Sequence, residues 1–376
     1  PITISPHDPK VVYHGANVVF RTRDGGQTWE AISPDLTRDD EDKQRWSGGP
    51  ITGDNTGVEY YGTVFAIAES PLEEGLLWVG SDDGLVHVSR DAGETWTDVT
   101  ENIPGMPEWG TVSILEASPF DAGTAYLVVD NHRMDDPRPH LWKTADYGAT
   151  WASLTADLPD DVYLHAVRED PEKRGQLYVG TERGVVYSPD DGATWTPLTL
   201  NLPTVAVHDL RVKDDDLVVG THGRSIWILD DLTPLREWSE EVEAKPAHLF
   251  TVRPATRWSY HRGISAHLKG PGENPPAGAL VYYWLKGAPD GDVTLEILDG
   301  DGAVLRRLTS EKQESDYAED DPDPDRRLRP PEPLSAEKGV QRAVWDLRYE
   351  GATKIEKAEI DFGDPYTGPL VLPGTY

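Results

Sequence analysis

Three histidines stand where they could do chemistry together. His165 and His208 occupy matching places in "LHAVRED" and "VHDLRVK", near the start of successive strand-like runs, and His222 lies in "GTHGRS". Three imidazoles and a carboxylate are a sufficient donor set for a metal ion. The close in-sequence spacing of a strong metal motif is missing, so the expected role is packing or hydrogen bonding, with no metal and no cofactor. In the same turn Arg224 has the planar fork that grips a carboxylate, and pairing with Asp230 or Asp231 is the structural alternative. A second group lies in the long connection 36–61, "LTRDDEDKQRWSGGPITGDNTGVEYY", with Trp46, Asp54, Asn55, Glu59, Tyr60 and Tyr61. Aromatic rings beside carboxylates suit sugar or peptide recognition, or else an ordered loop over a channel. Glu108 and Trp109 in "MPEWG", and His132 and Arg133 in "VDNHRMDDPRPH", complete the binding candidates. A glycoside hydrolase needs two carboxylates about 5–10 Å apart. Glu59, Glu108 and Asp54 are available for that, but none is assigned a catalytic role.

These groups need a scaffold, and the scaffold is written in repeats. The phrase [ST]-x-D-x-G-x-T-W occurs four times, as "TRDGGQTW", "SRDAGETW", "TADYGATW" and "SPDDGATW". Its aspartates are Asp24, Asp91, Asp146 and Asp190, with Gly26, Gly93, Gly148 and Gly192 two residues on and Trp29, Trp96, Trp151 and Trp195 closing each copy. Each copy follows a hairpin-like stretch such as "LLWVGSDDGLVHVS" or "QLYVGTERGVVYS" and precedes a short alternating strand. With one more strand upstream, each unit has four strands, and the phrase falls in the turn between the third and fourth. Asp can accept backbone N–H groups across such a turn, Gly supplies positive φ, and Trp buries a large ring. Radially repeated four-stranded sheets make a β-propeller. About five blades are expected, at 1–36, 62–101, 111–156, 162–200 and 205–231, the fifth without a box or a clear fourth strand.

The repeated phrase is the Asp-box. The units resemble the Asp-box (BNR) propellers of sialidases, xyloglucan-type glucanases and sortilin-like sorting receptors. The resemblance is strongest to the large secreted bacterial sortilin-like or neuraminidase-repeat proteins, and it rests on 47–71, 106–126 and "VHDLRVKDDDLVVGTHGRSIWILDDLTPLR". It implies an all-β chain: a propeller over 1–236, continued by blades upstream, then an immunoglobulin- or fibronectin-like β-sandwich. It also implies a secreted location, extracellular or periplasmic, and a protein, peptide or glycan ligand. The arginine cluster and Arg-Ile-Pro phrase of sialidases have no counterpart here.

Composition sets outer limits. Gly 35 and Pro 31 in 376 residues favour a turn-rich, all-β chain of more than one domain. A net charge of −32 argues against nucleic acid and anionic membranes as partners, and no apolar run is long enough to insert in a membrane. An acidic surface poor in lysine suits high salt. With Cys 0 there is neither a disulfide framework nor thiolate chemistry. The chain opens at Pro1 inside one strand-like run and stops inside another, which reads as truncation at both ends. From 237 the grammar changes: a connector over 237–262, then strand-like runs over 263–376. A Pro-rich acidic loop over 311–337 is expected to be mobile. If the box is a structural corner, the working surface lies on the opposite face. The favoured function is a non-enzymatic binding or scaffold module. A glycoside hydrolase and a purely architectural subunit remain the alternatives.

Overall fold

The computed structural model describes residues 1–45, 47–53, 61–258, 272, 274–313, 320, 329–353 and 363–376. They fall into two compact units, Pro1–Leu229 and Asp230–Tyr376. Trp46, Asp54, Asn55, Glu59 and Tyr60 lie outside the described residues, as does much of 311–337.

The first unit is a row of propeller blades. Blade one holds β1 (Ile2–Ile4), β2 (Val12–Gly15), β3 (Val19–Thr22) and β4 (Glu30–Ala31). Blade two holds β5 (Val64–Glu69), β6 (Leu77–Ser81), β7 (Val86–Ser89) and β8 (Thr97–Asp98). Blade three holds β9 (Thr111–Ala117), β10 (Ala125–Asp130), β11 (Leu141–Thr144) and β12 (Ala152–Ser153), and blade four β13 (Leu164–Glu169), β14 (Leu177–Thr181), β15 (Gly184–Ser188) and β16 (Thr196–Pro197). Blade five has three strands, β17 (Val207–Lys213), β18 (Asp216–Thr221) and β19 (Ile226–Leu229). Each blade is an antiparallel meander, and each first strand packs against the first strand of the next blade.

Stacking explains why the central strands are apolar on both faces. In β6, Leu77 and Val79 join Val19, Ile32 and Val64 on one side. Trp78 points the other way, into a core with Val112, Leu127 and Trp151. The next interface repeats the scheme, with Tyr126, Val128 and Leu141 packed on Leu164, Val167, Leu177 and Val179. A side-chain period of two thus sends alternate residues into two different interfaces.

The Asp-box geometry is the same in all four copies. Asp146 Oδ1 accepts the Thr150 N–H at 2.8 Å, and its Oδ2 accepts the Thr150 hydroxyl at 2.7 Å. Thr144 Oγ1 donates to Asp146 and accepts the Gly148 N–H at 3.0 Å. The residue before the box glycine and the glycine itself both take positive φ, as at Tyr147 (59°) and Gly148 (84°). The box also ties neighbouring blades together. A Cβ on Gly93 would lie 2.7 Å from the Ile32 carbonyl oxygen, and one on Gly192 2.9 Å from Leu154, both in the preceding blade. Trp96 Nε1–H donates to the Ile32 carbonyl and Trp195 Nε1–H to the Leu154 carbonyl, each at 2.9 Å. The tryptophan therefore fastens its blade to the one before, rather than only to its own hairpin. Trp29 has no such neighbour among the described residues and stays 45% exposed, and the Gly26 Cβ position meets only Trp29 itself.

Hydrogen bonds to the ionised carboxylates hold the box aspartates below their ordinary range, Asp24 at about 2. A depressed folded-state pKa adds stability above the unfolded value of about 3.9, and this is lost as pH falls through the folded value. The Asp24 contribution therefore disappears between about pH 4 and about pH 2, and those of Asp91 and Asp146 are lost as pH falls below the unfolded value. The double variant Asp91→Asn, Asp146→Asn is expected to be less stable near neutral pH. Its deficit against the parent chain should shrink as pH falls below about 4 when unfolding midpoints in denaturant are compared.

The second unit begins with two short helices, α1 (Thr233–Glu237) and α2 (Glu240–Ala244), the latter capped by Ser239, whose hydroxyl accepts the Val242 N–H. A sheet of order β20 (Ala247–Leu249), β21 (Ala279–Leu285) and β24 (Gly339–Trp345) packs against the hairpin of β22 (Thr294–Leu298) and β23 (Val304–Thr309). Val281, Tyr283 and Ala343 from the sheet meet Leu295 and Leu308 from the hairpin. Among the described residues no helix is long and apolar enough to cross a membrane.

Candidate functional site

In a meander blade the first-to-second and third-to-fourth turns share one face. The second-to-third turns and the blade-to-blade links share the other. The boxes occupy the first face. Most of the candidates described here belong to the second, while a trough runs along the first strands as far as Pro6, Pro71, Pro119 and Pro171 in the first-to-second turns.

Between blades one and three, Tyr61 stacks on Trp109 with ring centroids 6.0 Å apart. The Arg38 guanidinium lies 4.6 Å and the Lys43 ammonium 4.5 Å from the Trp109 ring centre. Arg38 is anchored by the Asp83 carbonyl at 2.8 Å and the Glu108 carbonyl at 2.7 Å. Trp109 thus sits in a cationic and aromatic cluster, while the Glu108 side chain is exposed beside it. Burial, with Asp82 and Asp83 nearby, pushes the Tyr61 hydroxyl up to about 12. Asp82 is itself raised by burial, and it accepts the Gly62 N–H, the Thr63 N–H and the Thr63 hydroxyl.

Across blades three to five runs a row of stacked rings. His132 follows β10, donates its Nδ1–H to the Asp130 carboxylate at 2.6 Å, and stacks on Tyr163 at 4.4 Å. Tyr163 meets His165 edge-on at 5.2 Å, His165 meets His208 at 4.2 Å, and His208 meets His222 at 4.6 Å. Glu182, in the β14–β15 turn, reaches His165 Nε2 at 3.0 Å and accepts the Tyr163 hydroxyl. That bond and burial bring Tyr163 to about 12. Burial and the neighbouring imidazoles of His165 and His222 lower His208 below its ordinary value. The three histidines singled out from sequence are therefore adjacent. Arg133, in a short turn after β10, and Arg224, in the β18–β19 turn, are both exposed. The Arg224 N–H meets Thr221 Oγ1 at 3.1 Å.

The first strands line a trough of about 840 Å³. Ile2, Ile4 and Phe65 give its lining an apolar part, Phe65 being 50% exposed. The same lining carries an ion-paired group: Arg168 contacts Glu116 at 3.2 Å and Asp209 at 2.8 Å, with Arg211 nearby. Burial raises Glu116 although its side chain keeps 20% of its surface exposed.

Sequence reading missed Tyr163, Glu182 and the trough residues. A usable signal existed for Glu182, because "TERG" and "GTHG" are sister turns. No signal pointed to Glu116, Arg168 and Asp209, which come from three blades.

Fold and site define an array of Asp-box β-propeller blades, and the sequence likeness is to a sortilin-type protein. Over 111 residues, 29% of this chain, it is 32% identical to Vacuolar protein sorting/targeting protein 10 of Laccaria bicolor. No protein-family model matches. A GH74 xyloglucanase from Xanthomonas campestris is 20% identical over 62% of this chain and 37% of its own, with a TM-score of 0.46. YCF48 bound to D1 peptide is 16% identical over 61% of this chain and 64% of its own, with a TM-score of 0.40. The chain spans 7% of the length of the curated relative.

Proposed function

We propose that this chain is a secreted, non-enzymatic binding module whose inner-strand trough and non-box face hold a polypeptide segment. The observation that carries the reading is the mixed lining of the trough, which combines the apolar Ile2, Ile4 and Phe65 with the charged Glu116, Arg168 and Asp209. An extended peptide offers alternating apolar and charged side chains to such a surface, and exposed apolar groups rimmed by polar ones mark interaction sites. The Tyr61–Trp109 platform extends the surface toward an aromatic or sugar group. The second unit, read as an immunoglobulin-like sandwich, spaces or docks the module. Further blades are the natural seat for Trp29. An extracellular or periplasmic location suits the acidic, cysteine-free chain.

A peptide display library panned on the full chain should yield ligands whose affinity falls at least about 10-fold in Phe65→Asp. Ligands that bind Phe65→Asp unchanged would exclude the trough. One observation favours a second reading, glycoside hydrolysis: a carboxyl raised by burial, Glu116, faces a groove. Polysaccharide hydrolysis by the parent chain that is abolished in Glu116→Gln would replace the first reading with the second.

A further inference from the structure

Blade five is attached differently from its predecessors. Blades two, three and four each press a box glycine onto the blade before, Gly93 on Ile32, Gly148 on Val99 and Gly192 on Leu154. Blade five has no box, so that clamp is missing from its junction with blade four. The imidazole row lies at this junction. His165 and Glu182 come from blade four, His208 and His222 from blade five.

We propose that His165, Glu182 and His208 form a binding site for a zinc-type divalent transition-metal ion, with a fourth position beside His222, and that the ion fastens blade five to blade four. One donor atom from each of the three residues lies within 4.8 Å of the others. Tetrahedral zinc with bonds of about 2.0–2.1 Å needs donors about 3.4 Å apart. Small side-chain rotations at His208, which is exposed, and at the turn residue Glu182 close that difference. Two imidazoles and one carboxylate make a three-ligand set with an open position. Nitrogen donors select zinc, cobalt or nickel over calcium and magnesium. The supporting shell is present: Tyr163 donates to the Glu182 carboxylate, as metal-binding carboxylates commonly require. No hydrogen bond joins the His208 ring to another described residue, so its nitrogens are available.

The full chain, stripped with a chelator and dialysed, is titrated with Zn²⁺ by calorimetry and with Co²⁺ by visible absorption. One ion per chain is expected, with Co²⁺ bands of low coordination number. A rise of several degrees in the melting midpoint and slower amide exchange in β17–β19 are also expected. Ca²⁺ and Mg²⁺ should do none of this. His208→Ala, at an exposed position, and Glu182→Gln, which keeps size and hydrogen bonding, should each weaken Zn²⁺ by about 100-fold or more. Absence of stoichiometric binding, or binding that survives both substitutions, overturns the proposal.

Discussion

Gly180→Ala is expected to destabilise the propeller unit by roughly 3 kcal/mol or more, while the sister substitution Gly220→Ala is neutral or slightly stabilising. Gly180 sits in β14 beneath the first strand of the next blade. A Cβ there would lie 2.4 Å from the Val207 carbonyl oxygen. Backbone cannot rotate away, so β17 must shift. Gly80 in β6 is in the same position, with its Cβ 2.1 Å from Val112, and so is Gly15, at 2.8 Å from Val64. Gly220 occupies the equivalent place in β18, but no described strand crosses it, and the nearest atom is the Asp209 carbonyl at 3.4 Å. There the methyl group costs little and restricts the unfolded chain. In a unit of this size the Gly180 change should lower the melting midpoint by about 6–12 °C. Equal losses at Gly180 and Gly220 would show that the cost comes from the strand itself and not from the blade above.

Trp195→Ala should cost about 3–5 kcal/mol, and Trp29→Ala less than about 1 kcal/mol, although both close the same motif. Trp195 is 8% exposed, packs with Leu154 and Leu158, and donates to the Leu154 carbonyl. Its removal leaves a large cavity between blades three and four and a carbonyl without its donor. Trp29 already faces solvent, and its nearest aromatic partner is His14 at 6.1 Å. Denaturant unfolding of the two variants measures the difference directly. The same pair tests for further blades. If one seats on Trp29 in a longer chain, Trp29→Ala becomes costly there and stays mild here.

Much of the fold was legible because its signals are local. The eight-residue phrase carries its own turn chemistry: Asp146 bonds Thr150 and Thr144, all within a few residues. The β6–β7 and β14–β15 hairpins announced themselves as apolar runs around a glycine. The blade number followed from counting. The direction of the tryptophan did not follow, because its partner, Ile32 for Trp96, lies 64 residues away. Nor did the reason for Gly80 and Gly180, since each is required by a strand of the following blade. The histidines were flagged as neighbours by their matching positions. The carboxylate that completes them, Glu182, was not, although its turn "TERG" is the sister of the His222 turn "GTHG", because only packing brings it to His165.

The sequence by itself determined the unit: four strands, a box at one corner, and apolar runs meeting at a glycine turn. Short-range hydrogen bonds and a side-chain period of two are properties of a few consecutive residues, and a linear reading recovers them. Only the tertiary structure decided what the units do to one another. It turned the box into a clamp on the preceding blade and brought Glu116, Arg168 and Asp209 together across three blades. It also set His165, His208 and His222 face to face. Those relations depend on where one rigid sheet lies against the next, and side chains far apart along the chain acquire common surroundings only when the sheets pack.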